Sequence, residues 1–331
     1  MPIVRRLLAF WIVASLPSLA DEALQRGNFD LAIKYLDTYL TFNADSARVH
    51  RMLGSAWFKK GDHTRAIDAY TEALRLDPTD VQAYIDRGGA YGAAGRLDAA
   101  FADLDKALKL HPNAATAYYN RALCHREKKD FDRALADFRE AIRLDPKEAM
   151  FYRQRAECHA ARADYAAALR DCCEALQLAP DDAATLRQRA NLYHESKQYA
   201  ETLADYEALL RLDSEDDNVR LLLVDLLATC PDGKLRDLTR AEKEAGRLDP
   251  NAHTSLRPYA TLAALRARRG ELNQAIAWQR KALACADRLD KEEKSRAAMV
   301  LKLYQTRKNK ADKAAPRRAE RKTPPPQGDG Q

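Results

Sequence analysis

The side chains best able to do chemistry are six cysteines, Cys124, Cys158, Cys172, Cys173, Cys230 and Cys285, together with seven histidines. Two of each stand side by side, as Cys124-His125 and Cys158-His159, one 34-residue step apart. A thiolate beside an imidazole can hold zinc, but neither pair sits in a CxxC or HExxH spacing. On stacked helical repeats, equivalent residues of successive units lie about 8–10 Å apart. That strains a compact zinc site. It also strains a disulfide, which needs Cα atoms under about 7 Å apart. The residues therefore read as structural thiols packed in a core, with a metal site and a disulfide as the alternatives. Gly88, Gly89, Gly92 and Gly95 form a glycine cluster. A loop that cradles phosphate needs a strand before it and a helix after it. This cluster lies inside a helical stretch, where close packing explains it. There is no nucleophile motif, no Walker lysine motif and no paired carboxylates spaced for acid–base work. No catalytic residue, cofactor or metal is expected.

A second constellation recurs more strictly. Arg87, Arg121, Arg155 and Arg189 are each followed sixteen residues later by an aspartate: Asp103, Asp137, Asp171 and Asp205. Where the arginine column holds leucine instead (Leu19, Leu53, Leu262), the second position is Tyr35, Ala69 or Trp278. The two positions switch together. A buried guanidinium needs a partner, so each Arg is expected to pair with its Asp across the two helices of one unit, fixing register more than adding stability.

These columns belong to a 34-residue period. Small residues recur at Gly54, Gly88, Ala122, Ala156 and Ala190, and again at Ala32, Ala66, Ala100, Ala134 and Ala168, continued by Thr202. Proline recurs at Pro78, Pro112, Pro146 and Pro180. Small side chains let two antiparallel helices approach, large ones such as Trp57, Tyr91 and Phe138 fill the space between pairs, and proline stops the second helix. Gly27, Gly61 and Gly95 fall at the turn inside each pair.

The run His50-x2-Leu53-Gly54-x2-Trp57, Ala66-x3-Tyr70, Pro78, repeated as Tyr84-x2-Arg87-Gly88-x2-Tyr91, Ala100-x3-Leu104, Pro112, closely resembles the tetratricopeptide repeat (TPR). The resemblance implies an all-α fold, a right-handed superhelical solenoid of antiparallel helix pairs. Five full units share one register: 47–80, 81–114, 115–148, 149–182 and 183–216. A partial unit occupies 21–46, a degenerate one 217–255 and a last one 256–305. The C-terminal third resembles TPR proteins abundant in planctomycete bacteria. In the family, the first helix of each pair lines a concave surface that takes an extended peptide or partner helix. Matching positions here are Arg51, Tyr119, Arg153, Arg187, Asn191 and His194. Arg and Tyr suit interface anchors, and Arg suits carboxylates. The expected partner is therefore an extended acidic or carboxylate-bearing segment of another protein. Ile85 and Asp86 stand where the family's chaperone-tail binders need basic or amide groups, so chaperone tails are not expected partners. The other reading of these six residues is a solvated face without a ligand.

The termini differ from the body. Residues 1–6 are basic, Leu7–Leu16 is an apolar run, Pro17 breaks it, and Ser18-Leu19-Ala20 offers small residues for cleavage. This order matches an export signal ending at Ala20 and places the protein in the periplasm or outside the cell. The alternatives are an uncleaved membrane anchor and the first helix of the solenoid, with Leu19 and Ala20 in its core. Residues 306–331 carry a net +5 and read as a disordered, basic, proline-rich tail drawn to anionic surfaces. Without these two segments the net charge of +6 falls to about −1. That neutrality argues against specific nucleic-acid binding. A non-catalytic interaction scaffold is the expected function; an RNA-binding helical-repeat protein and an enzyme on helical repeats are the rivals.

Overall fold

The computed structural model describes residues 2–248, 257–285 and 291–320, with side chains placed for 13–248, 259–284 and 292–312. Met1, the side chains of residues 2–12 of the export reading and of Cys285, the end of the degenerate unit and tail residues 321–331 lie outside what is described. Every element among the described residues is a helix, and the chain divides into two compact units, Met1–Pro180 and Asp181–Gln331.

The first unit comprises α1 (Pro2–Gln25), α2 (Phe29–Phe42), α3 (Ala47–Lys60), α4 (His63–Leu76), α5 (Val81–Ala93), α6 (Leu97–Leu110), α7 (Ala115–Glu127), α8 (Phe131–Leu144), α9 (Ala149–Ala161) and α10 (Tyr165–Leu178). Each odd-numbered helix packs on the even-numbered helix after it, and that one on the next odd-numbered helix. The small-residue columns make this possible. Ala32, Ala66, Ala100, Ala134 and Ala168 have no exposed surface. A methyl group added to Gly54 would stand 2.6 Å from the Tyr70 ring, and one added to Gly88 would stand 2.8 Å from Leu104 Cγ. Those two glycines mark where the paired backbones come closest.

Local sequence sets each helix start. Asp62, Asp80, Asp130 and Asp164 each accept a hydrogen bond from the backbone N–H three residues on, replacing one that the helix cannot supply. The turn inside each pair needs a left-handed residue. Gly27, Gly61 and Gly95 supply it at φ of +73°, +89° and +72°. In the next three pairs the same column holds Lys129, Ala163 and Lys197, each at φ 59°. The pairing geometry thus imposes the conformation even where glycine is absent.

The second unit comprises α11 (Ala183–Glu195), α12 (Tyr199–Leu212), α13 (Asp217–Thr229), α14 (Leu238–Ala245), α15 (Arg257–Arg268), α16 (Leu272–Cys285) and α17 (Lys291–Glu320). The degenerate pair keeps a full first helix but only a short second one, because the loop after Cys230 runs to Asp237.

Two boundary expectations change. Pro17 does not end α1, which continues to Gln25, buries Leu16, and packs Ala20 and Ala23 with Ile33 and Leu36 of α2. The first pair is therefore complete, although Leu19 is 39% exposed and not in its core. At the other end, α17 carries the chain as helix to Glu320, so residues 306–320 are not without structure. Lys, Arg and Ala are good helix formers, and they extend a helix already anchored by the buried Tyr304. Among the described residues no helix is long and apolar enough to cross a membrane.

Candidate partner-binding faces

The four Arg–Asp pairs form the framework behind the candidate faces. Arg87 Nε donates to Asp103 Oδ2 at 2.7 Å and its Nη2 to Oδ1 at 2.8 Å. Arg121 and Asp137, Arg155 and Asp171, and Arg189 and Asp205 repeat the same two-pronged contact at 2.6–2.9 Å. All four aspartates are buried. Two of the arginines reach further. Arg87 also donates to Thr71 Oγ1 on α4 at 3.1 Å, and Arg121 to Asp105 Oδ1 on α6 at 2.7 Å. The bond to the Asp137 carboxylate, before the cost of burial, raises the Arg121 pKa above its ordinary value.

Of the cysteine–histidine pairs, Cys124 and Cys158 are buried in the core and His125 and His159 are half-buried beside them. Burial pushes the Cys124 and Cys158 thiols up to about 11. It also pulls His125 and His159 below the usual imidazole value. His125 lies against the Phe101 ring at 4.6 Å. The five described cysteines are thiols rather than disulfides, and among the described residues no three possible metal ligands converge.

The six groove candidates divide three and three between the units. Arg51 on α3 pairs with Asp80, the N-cap of α5, at 3.1 Å. Arg187 on α11 pairs with Asp216, the N-cap of α13, at 2.7 Å. These two arginines therefore meet the chain's own carboxylates. The signal for this was present: both pairs are separated by 29 residues, a second Arg-to-Asp spacing beside the one of sixteen. Tyr119 on α7 stacks on Phe151 at 5.0 Å, and its hydroxyl donates to Met150 Sδ at 3.0 Å. Arg153, on α9, is half-buried and close enough for its charge to act on Tyr119. Asn191 and His194 lie exposed on α11.

In the first unit, the first helices α3, α5 and α7 enclose a cavity of about 710 Å³. Gly89 and Gly92 give it a floor without side chains. Phe58, Tyr119 and Leu123 supply apolar walls, and Asp86 and Asn120 supply polar groups. Burial raises the Asp86 pKa, opposed by the hydrogen bond from Gln82 at 2.7 Å. The wall cations Lys59 and Arg126 are matched by the carboxylates Asp86 and Glu127. Of the sequence candidates only Tyr119 lines this cavity. Phe58, Leu123, Gly89 and Gly92 were missed as site residues, although they fall on the same helix face, because glycine and leucine carry no chemical signal of their own.

In the second unit, Asn191 and His194 line a separate cavity of about 530 Å³ with Tyr199, Tyr206, Leu222 and Asp225. The tetratricopeptide-repeat family model matches residues 18–81, 85–149 and 127–183. The chain is a tetratricopeptide-repeat protein. Its array of helix pairs is a protein-interaction scaffold in the general sense of that family. Over 55 residues it is 37% identical to Superkiller protein 3 of Saccharomyces cerevisiae, a match covering 17% of this chain and 4% of that protein. Among solved structures it is similar to a chain of the APC/C hetero-tetramer Cut9-Hcn1, at 19% identity and a TM-score of 0.58, covering 64% of this chain and 42% of that one. It is also similar to the structure titled for functional characterization of Pseudomonas aeruginosa pilF, at 20% identity and a TM-score of 0.53, covering 65% and 97%. The chain thus spans only a small part of the yeast relative and under half of the first structural one. At these identities the structural likenesses show the fold alone.

Proposed function

We propose that the protein is a non-catalytic scaffold that takes a segment of a partner protein on the face lined by α3, α5 and α7. The observation that carries this reading is the cavity over Gly89 and Gly92, walled by Phe58, Tyr119 and Leu123. An exposed apolar depression with a few polar groups is what an anchoring side chain of a partner needs. Its two wall cations and two wall carboxylates balance, and Arg51 is engaged by Asp80. The acidic partner expected from Arg51, Arg153 and Arg187 is therefore not favoured here; an apolar or aromatic anchor is.

Capture from the native host by the tagged full chain tests this. Gly89→Leu should fill the cavity without moving the backbone, since a methyl group there meets only the Asn120 amide, at 3.1 Å. Loss of about ten-fold or more in capture is expected for this variant and for Phe58→Ala, with helical content unchanged. Capture equal to that of the parent in both variants refutes the reading.

We propose, second, that residues 1–20 serve export, on the basic start and apolar run that follows. The rival role for the segment is the first helix of the array, in which Ala20 packs with Ile33 and Leu36 of α2. Intact mass of the protein from its host decides between them: a chain starting at Asp21 supports cleavage, and a chain retaining residues 1–20 in the cytosol refutes export.

A further inference from the structure

The second cavity differs from the first in charge. Its lining carries two carboxylates, Glu195 and Asp225, and neither a lysine nor an arginine. Beside the neutral polar groups Asn191 and Thr229, much of the rest of its lining is aromatic or apolar. The His194 ring stands edge-on to Tyr199 with centroids 6.0 Å apart, Tyr206 is buried beneath, and Leu222 is 44% exposed at the rim. Two carboxylates and two tyrosines lining one recess of about 530 Å³ form an environment for a cation with an apolar stem. Burial, and then the negative charge of Asp225, raise the Tyr206 pKa, which agrees with a negative field in the recess.

We infer that this cavity in the second unit binds an arginine or lysine side chain of an extended partner segment, held by Glu195 and Asp225 between Tyr199 and Tyr206. The inference rests on the reading of the chain as a scaffold for other proteins. It adds a second docking point and a charge preference opposite to the one expected from Arg51, Arg153 and Arg187. The guanidinium or ammonium head meets the two carboxylates, while its methylenes lie along Leu222 and Tyr199.

The test uses the full chain and two photo-crosslinking heptapeptides, identical except for a central arginine or glutamate beside the photoreactive residue. The arginine peptide is expected to label residues 191–231 about five-fold more than the glutamate peptide, with a preference that shrinks in high salt. Glu195→Gln, at an exposed position, should reduce that preference about two-fold, and Asp225→Asn should reduce it further. The single Glu195→Gln keeps the test valid if the half-buried Asp225 proves necessary for folding. Equal labelling by both peptides, or a preference unchanged by Glu195→Gln, overturns the inference. Self-association that competes with the peptide and is relieved by Glu195→Gln would place the basic C-terminus of a second copy in the cavity and overturn the partner assignment. If the arginine preference is absent while partner capture remains sensitive to Gly89→Leu, the cation site falls and the scaffold reading stands. If both are absent, both fall.

Discussion

Replacing Arg155 by leucine, alone and together with Asp171→Ala, measures what the repeated ion pair does. In the folded chain Arg155 donates to Asp171 Oδ2 at 2.8 Å and Oδ1 at 2.6 Å, with the carboxylate side chain 7% exposed and the guanidinium side chain 20%. Arg155→Leu leaves that carboxylate buried without its cation. Breaking a fully buried pair costs about 3–5 kcal/mol, and the partial exposure on the arginine side lowers this to roughly 2–3 kcal/mol. His159 stands 3.9 Å from the same carboxylate, but burial keeps its pKa low, so at pH 7.5 it is neutral and cannot replace the guanidinium. The double variant recreates the combination that the chain already uses at Leu53 and Ala69, both buried. It should lie within about 1 kcal/mol of the parent, giving a coupling of about 2 kcal/mol between the two sites. Urea unfolding followed by circular dichroism supplies the four midpoints, provided that the slope of each transition is the same. If the double variant loses the sum of the two single losses, the residues are not coupled and the reasoning fails.

Ala163→Gly should raise stability by about 0.5–1 kcal/mol, because Ala163 is exposed and held at φ 59°, where a Cβ is costly and glycine is not; an unchanged or lower urea midpoint would refute this. His125 and His159 should make the fold sensitive to mild acid. Their folded pKa values lie below the unfolded value of about 6.5, so the unfolded chain binds more protons, and their contribution, complete above that value, is lost as pH falls through the folded values. The fall in urea midpoint between pH 7.5 and 5.5 should be smaller in the variant His125→Gln/His159→Gln; an equal fall would remove the histidines as its cause.

The helix pairs were legible because each is written several times in one chain. Ala66, Ala100 and Ala134 stand at one spacing and serve one packing need, so the period revealed the contact before any coordinates did. The Arg–Asp pairs were legible for the same reason: Arg87 and Asp103 vary together against Leu53 and Ala69. The pairing of Arg51 with Asp80 was not foreseen, since both residues already had an explanation, one as a groove residue and the other as a helix cap. The cavities were legible only through Tyr119, Asn191 and His194. A cavity is made by what is missing, as at Gly89 and Gly92, and by residues from several helices whose types are ordinary. The first pair was cut short because the same apolar residues satisfy both an export signal and a core, and sequence pattern does not separate them. The helical run of α17 beyond Thr306 was missed because it has no apolar stripe, although helix propensity alone favours it.

The reach of Arg121 from Asp137 in its own pair to Asp105 in the pair before it has a mechanical meaning. A helix pair tied only to itself could peel from the end of the stack under tension, one pair at a time. Here a single guanidinium on α7 bonds to both α8 and α6, and Arg87 links α5 to α4 and α6 in the same way. Neighbouring pairs are thus joined by charged and polar contacts as well as by the packing of α4 on α5 and of α6 on α7. The arginines act as rivets that set the grain of the spring.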